Sequence, residues 1–209
     1  MHKLRKLVRD IDKTHKGLGA MVAMNLVCAK AKMCILNVAP AGCGKSVTTD
    51  NLTLMLGETA HKYTSLTLAG LKNICDELNQ FAGHITIDDL GGEKSEWSRV
   101  STVTVLANLI YTHYVKKITQ GYILEIQNFY GSASLNIQPV MMQSIVCDND
   151  WIAVVRDKVL RYYHLIRPTN PKPMFDTPKI EWGPPLQEVL HPTHKGKLYY
   201  QLVAIGLTQ

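Results

Sequence analysis

The stretch Met33-Cys34-Ile35-Leu36-Asn37-Val38-Ala39-Pro40-Ala41-Gly42-Cys43-Gly44-Lys45-Ser46-Val47 decides how the rest of the chain is read. An apolar run of strand length enters a loop of small residues. The loop ends in Gly44-Lys45-Ser46 and flows into the helix-compatible segment Ser46 to Leu56. Without bulky side chains, successive backbone N–H groups can curl around an anion, and the helix that follows turns its positive end toward the same point. This is the strand–loop–helix setting of the phosphate-binding pattern G-x-x-x-x-G-K-[ST]. In that reading Ala41, Gly42, Cys43, Gly44, Lys45, Ser46 and Val47 cradle a nucleotide's phosphates. Lys45 reaches the β- and γ-phosphates, and the Ser46 hydroxyl takes one position on Mg2+. One residue departs from the pattern: Ala39 stands where it has glycine, and alanine enters positive φ less freely.

Composition bounds the rest. The 209 residues suffice for one α/β domain plus an appendage, and a hydrophobic fraction of 46% is ordinary for a packed core. No apolar run approaches the roughly 18 residues that span a bilayer. The basic N-terminus is not followed by an apolar segment with a cleavage site, so a cytoplasmic protein is expected. A net charge of +6 fits an anionic partner such as nucleic acid, without demanding one. The five cysteines, Cys28, Cys34, Cys43, Cys75 and Cys147, are odd in number and scattered, which reads as reduced, mostly buried thiols.

In chain order, residues 3 to 16 have Leu4, Leu7, Val8 and Ile11 on one helical stripe and Lys3, Arg5, Lys6, Arg9 and Lys13 on other faces. This is a basic arm for DNA or a neighbouring subunit, or simply a solvated helix face. A second helix is expected over about 20 to 31, and the strand over 33 to 38. After the loop's helix come a short strand in Lys62 to Leu68 and a helix in Ala69 to Phe81.

The second chemical landmark is His84-Ile85-Thr86-Ile87-Asp88-Asp89-Leu90-Gly91-Gly92. A short apolar strand delivers two carboxylates at its carboxyl end, the edge where open α/β sheets bind ligands. Successive strand residues point to opposite sides, so the two acids take different tasks. Asp88 is the candidate Walker B acid that holds Mg2+, and Asp89 is placed to polarise an attacking water. The interval after Lys45 leaves room for a helix, a strand and a helix. That suits ATPases with an extra strand between the Walker A and Walker B strands.

Trp97 to Tyr114 reads as a long helix with Lys116 and Lys117 near its end, and Gly121 to Ile126 as a central strand that delivers Gln127-Asn128. An amide there can orient the nucleophilic water. Tyr130 to Ser134 reads as a flexible loop. Residues 138 to 157 read as one or two helices and Val159 to Ile166 as a strand. Arg156 thus lies at a helix-to-strand junction, with Arg161 a second choice for reaching an adjacent subunit's nucleotide. From Pro168 the composition shifts: seven of the nine prolines fall in Pro168 to Pro192, which rules out a long helix or central strand there. His191 and His194 lack the partners a zinc site needs. Leu198 to Leu207 is apolar and reads as a docking element or the approach to another domain. The chain divides into an N-terminal helical segment (1–31), an ATPase core (32–167) and a proline-rich arm (168–209) that is irregular or begins a lid.

Taken together, Ala39-x-x-x-x-Gly44-Lys45-Ser46, Ile85-Thr86-Ile87-Asp88-Asp89-Leu90-Gly91, Asn128 after a strand and Arg156 before one resemble AAA+ ATPases. The resemblance spans roughly residues 20 to 167. The Ile-Asp-Asp-Leu-Gly segment resembles the replication-initiator and helicase-loader group. The resemblance implies a P-loop NTPase fold with a parallel sheet of strand order 5-1-4-3-2 sandwiched by helices. It implies ATP and Mg2+ bound between subunits of a ring or spiral homo-oligomer. It makes Asn128 the sensor 1 residue and Arg156 the arginine finger. The expected function is ATP hydrolysis coupled to work on DNA, with a helicase or packaging component as possible protein partner and no membrane. The alternatives are a viral DNA-packaging or translocating ATPase and a nucleotide-dependent assembly switch with little turnover.

Overall fold

The structure, a computed structural model, describes residues 2–90, 95–119, 121–149 and 151–165. The proline-rich arm, His191, His194, the apolar segment 198–207, Gly91 and Gly92 lie outside the described residues.

Two helices open the chain, α1 (His2–Thr14) and α2 (Gly19–Ala31). Strand β1 (Cys34–Val38) and helix α3 (Lys45–Leu56) flank the glycine-bearing loop, and β2 (Ala60–Tyr63) follows a single 3-10 turn. Two short helices, α4 (Leu68–Asn73) and α5 (Cys75–Leu78), lead to β3 (His84–Ile87). The 17-residue α6 (Glu96–Thr112) starts where the Ser95 side chain accepts a hydrogen bond from the Ser98 N–H. Then come β4 (Tyr114–Thr119), β5 (Tyr122–Gln127), β6 (Ser132–Ile137), α7 (Pro139–Val146), a π-helical turn (Trp151–Val155) and β7 (Val159–Tyr163).

Five strands form one parallel sheet in the order β2-β3-β6-β1-β7. Numbered as the sheet's own strands in chain order and read from the β7 edge, this is 5-1-4-3-2, the order the resemblance implies. The extra strand between β1 and β3 is β6. Parallel strands buried on both faces need helices on both sides. α2 and α3 cover one face with α1 outside them, while α6 packs on the other with the π-helical turn against it.

Two stretches differ from expectation. Gly121 to Ile126 is not a central strand: β5 pairs antiparallel with β4 as a separate hairpin, Tyr114 opposite Gln127 and Thr119 opposite Tyr122. Lys116 and Lys117 therefore belong to β4, because α6 stops at Thr112 with His113 in the left-handed region (φ 64°). The fourth strand of the sheet is instead β6, Ser132-Ala133-Ser134-Leu135-Asn136-Ile137, all six residues buried. Its serines, which read as a loop, lie inside the protein: His84 Nδ1 and Nε2 stand 2.8 and 3.0 Å from the Ser132 and Ser134 hydroxyls, and Ser132 donates to Ala29 O on α2.

Candidate functional site

The loop after β1 begins at the centre of the sheet's carboxyl edge. Ala39 N–H donates to Ile137 O at the end of β6, while His164 N–H donates to Val38 O after β7. Because β1's two neighbours come from later in the chain, this is the sheet's switch point, where a crevice opens between strand ends. The positive-φ positions of the loop are Gly42 (76°) and Gly44 (82°), not Ala39, so the alanine costs the loop nothing in backbone strain. Gly44 answers a second demand: a Cβ there would sit 2.7 Å from Leu18 Cδ2, so the α1–α2 connection packs directly on the loop. That connection is itself tied down, since Gly17 and Gly19 N–H both donate to Asp12 Oδ1.

Lys45 opens α3, and its ammonium folds back to donate to Ala39 O (2.5 Å) and Pro40 O (2.9 Å). Partial burial pulls its pKa down, while negative charge at Cys43, Asp89 and Asp88 opposes that pull; the net direction is downward. Ser46 and Gly42 are exposed beside it, Val47 is half-buried and Cys43 is buried.

The acidic pair reaches the same edge from β3. Asp88 N–H donates to Tyr63 O and Asp89 N–H to Thr64 O, so the pairing with β2 continues past the last strand residue and fixes the backbone that carries both carboxylates. Their environments differ as the alternation demands: Asp88 is half-buried and Asp89 exposed. Asp88 Oδ1 accepts from Asn136 Nδ2 (3.1 Å) and Thr49 Oγ1 (3.3 Å), and Oδ2 lies 3.7 Å from the Lys62 ammonium, which also pairs with Asp50. Burial lowers the Lys62 pKa, but its bond to Asp50 and the charge of Asp88 more than offset this and hold it raised.

Asn128 is not at this edge. It precedes β6, in a left-handed turn (φ 55°) at the amino end of the sheet, separated from the site by the length of β6, on the order of 15 Å. The strand-end amide is Asn136, which lies opposite Asn37 on β1 and follows Leu135, itself opposite Ile87 just before Asp88. Arg156 sits before β7, also at the amino end, exposed and paired with Asp157 at 3.3 Å. The loop after β1 lies at the opposite, carboxyl end of the sheet. Arg161 lies within β7, opposite Leu36.

The donor set fits the expected groups. A hydroxyl at Ser46 and a carboxylate at Asp88 are hard oxygen ligands of the kind Mg2+ accepts while it keeps several waters. Among the described residues no three His, Cys, Asp or Glu side chains converge on a metal position, so a metal here would depend on phosphate and water for its other ligands.

One outer surface is rich in cations, and the hairpin adds a lysine beside an exposed tryptophan, its neighbour Lys116 being paired with Glu125 at 2.9 Å. On α1, Arg5, Lys6, Arg9 and Lys13 are exposed, as is Lys16 just after it. Beside the hairpin, the Lys117 ammonium lies 5.8 Å from the centre of the Trp97 ring, and Trp97 is 65% exposed. Among the described residues no helix is long and apolar enough to cross a membrane.

No protein-family model and no curated protein sequence matches this chain. Among solved structures it is similar to one described as the A form apo structure of the NrS-1 C-terminal region, with 12% identity and a TM-score of 0.38. The match covers 92% of this chain but 42% of that one. At that score the likeness does not establish a shared fold.

Proposed function

We propose that the chain is a P-loop ATPase of AAA+ type that binds ATP with Mg2+, hydrolyses it, assembles with copies of itself and acts on DNA. One observation carries the reading: Lys45 in its glycine turn and the Asp88–Asp89 pair share the carboxyl edge of one sheet, with the strand of Asn136 between theirs. In this reading the backbone of Ala41 to Val47 holds the phosphates. Lys45 exchanges the Ala39 and Pro40 carbonyls for phosphate oxygens. Ser46 and Asp88 would hold the Mg2+, which supplies charge neutralisation between the phosphates when bound. Asp89, exposed and on the other side of the strand from Asp88, orients water. Asn136, the amide at the end of the strand between β1 and β3, is fully buried and acts on Asp88, to which it donates, rather than on the water as was expected of Asn128.

A trans role for Arg156 is compatible with its place before β7 at the amino end of the sheet. A guanidinium at the amino end of β7 serves a nucleotide only on another copy, so hydrolysis through it requires assembly. The basic residues of α1, with Lys117 beside the exposed Trp97, support DNA as the polymer, through phosphate contacts that weaken with salt.

The test is steady-state ATP hydrolysis with and without DNA across a salt series, alongside mass measurement in ATP. We expect DNA-stimulated turnover that Lys45→Ala and Asp89→Asn abolish, and that Arg156→Ala removes without weakening nucleotide binding. Tight nucleotide binding with no turnover in the wild-type chain would replace the motor with an assembly switch. Absence of nucleotide binding would end the proposal.

A further inference from the structure

Three fully buried asparagines run in a line across the core from α2 to the acidic edge. Asn25 on α2, Asn37 on β1 and Asn136 on β6 each have 0% exposure. Their hydrogens can be counted. Asn25 Nδ2 donates to Met21 O (2.8 Å) and Asn37 Oδ1 (2.9 Å). Asn37 Nδ2 donates to Asn25 Oδ1 (2.9 Å) and Asn136 Oδ1 (3.0 Å). Asn136 Nδ2 donates to Asp88 Oδ1 (3.1 Å) and Thr49 Oγ1 (3.4 Å). All six amide hydrogens have acceptors, and all three amide oxygens have donors.

The two ends fix the direction. The Met21 carbonyl only accepts, and Asp88 Oδ1 accepts from Thr49 as well as from Asn136, so Asn25 and Asn136 each turn an NH2 toward them. Flipping Asn136 would aim its oxygen at the carboxylate and its NH2 at the NH2 of Asn37. Aligned amides also polarise one another, so the donor that meets Asp88 is strengthened by those behind it. An apolar trio would fill the same space without the cost of burying amides.

We infer that Asn25 and Asn37 are positioning residues that, through Asn136, hold the Asp88 carboxylate in the orientation its metal requires. This rests on the ATPase reading above. The two residues touch neither nucleotide nor metal. They act by fixing which atom of Asn136 faces Asp88, and they link α2, which begins directly after the Leu18 contact with the loop, to the acidic side of the site. Partners bonded directly to a metal ligand, the place Asn136 holds, are worth 10- to 100-fold in metal affinity in other metal sites, and Asn37 and Asn25 act through it at the lower end of that range.

The experiment has two arms on the full chain. In the first, ATP turnover is titrated with Mg2+ for wild type and Asn25→Leu, with thermal melts as the folding control and ADP binding in EDTA as the metal-free control. The Mg2+ concentration at half-maximal turnover should rise about 10-fold. Turnover at saturating Mg2+ and metal-free ADP binding should stay within about threefold, a split that a merely structural role for Asn25 would not give. In the second, side-chain amide resonances of the 15N-labelled wild-type chain are followed as Mg·ADP is added. Those of Asn25 and Asn37 should move together with that of Asn136. This arm decides alone where Asn25→Leu does not fold. A folded Asn25→Leu with wild-type Mg2+ dependence, or stationary Asn25 and Asn37 signals while Asn136 moves, overturns the inference and leaves the ATPase reading standing. Stationary backbone signals from Gly42 to Ser46 on adding Mg·ADP would overturn the ATPase reading itself, and the inference with it.

Discussion

Toward α6, the central sheet presents Leu36, Val38, Ile85, Ile87, Leu135 and Ile137; toward α2 and α3 the same strands present Asn37, His84, Ser132, Ser134 and Asn136, with Ile35 the apolar exception against α2. Both sets are fully or almost fully buried, so exposure to water does not explain the contrast. An apolar face gains stability from area removed from water and tolerates any arrangement that fills the volume. A polar face gains little from burial, because its groups exchange bonds to water for bonds to protein. In return it fixes directions: a buried amide or imidazole has few acceptable orientations. The two faces therefore divide the work. One holds the sheet together, and the other sets the angles of the groups at its carboxyl edge.

The largest effect that would sharpen this contrast is on the apolar side. Leu135→Ala removes a fully buried side chain and should cost about 3 kcal/mol of stability. Urea unfolding would measure it, while ATP turnover per folded molecule stays near wild type. The neighbouring residue should behave in the opposite way. Asn136→Ala should lower turnover about 100-fold, the scale of losing one preorganised hydrogen-bond donor, with a smaller loss of stability than Leu135→Ala. If the two substitutions gave the same split between stability and turnover, the division between the faces would be wrong.

His84 offers a test by pH. Burial, and then the charge of Lys32, hold its pKa down at about 3, against 6.5 unperturbed. The folded chain thus keeps this imidazole neutral where the unfolded chain protonates it. Its contribution is fully present above about pH 6.5 and is lost as pH falls toward 3. Between pH 7 and 5 the loss is about 2 kcal/mol. Other groups titrate in both proteins, so the readout is the difference between urea-unfolding curves of wild type and His84→Gln over that range. The difference should have the slope of about one proton between pH 6 and 4.

This contrast also explains what could be read from residues alone. The loop and the acidic pair were legible because β1 and β3 bring apolar runs to a chemically distinctive end. The fourth strand was not. Half of Ser132-Ala133-Ser134-Leu135-Asn136-Ile137 serves the polar face, and serine, asparagine and small residues in alternation look like a loop. Tyr122 to Gln127 has stronger strand formers and took its place, which moved the strand-end amide from Asn136 to Asn128. The hairpin differs physically: Ile118 is 69% and Ile123 57% exposed, so its β-formers are not a mark of core. Asn25 and Asn37 did leave a signal, a single amide in each of two otherwise apolar runs. A buried amide has to find partners, but which ones depends on β6 lying beside β1, a pairing across 99 residues.

The smallest predicted effect concerns Thr49, one helical turn after Lys45. Its hydroxyl lies 3.2 Å from Lys45 O, 3.0 Å from Ser46 O and 3.3 Å from Asp88 Oδ1. One hydrogen is divided among three acceptors, so no single bond is strong. The oxygen also accepts from Asn136 at 3.4 Å, which places it at the junction of helix, loop and polar face. Thr49→Val keeps the shape and removes only the hydroxyl, so the helix should stay intact. Turnover should fall about fivefold, the equivalent of one ordinary hydrogen bond of about 1 kcal/mol. Thr49→Ser should restore most of it. A loss as large as that of Asn136→Ala would mean that the hydroxyl, not the line of amides behind Asn136, chiefly holds the Asp88 carboxylate. The orientation of the site would then be set from the helix rather than from the sheet.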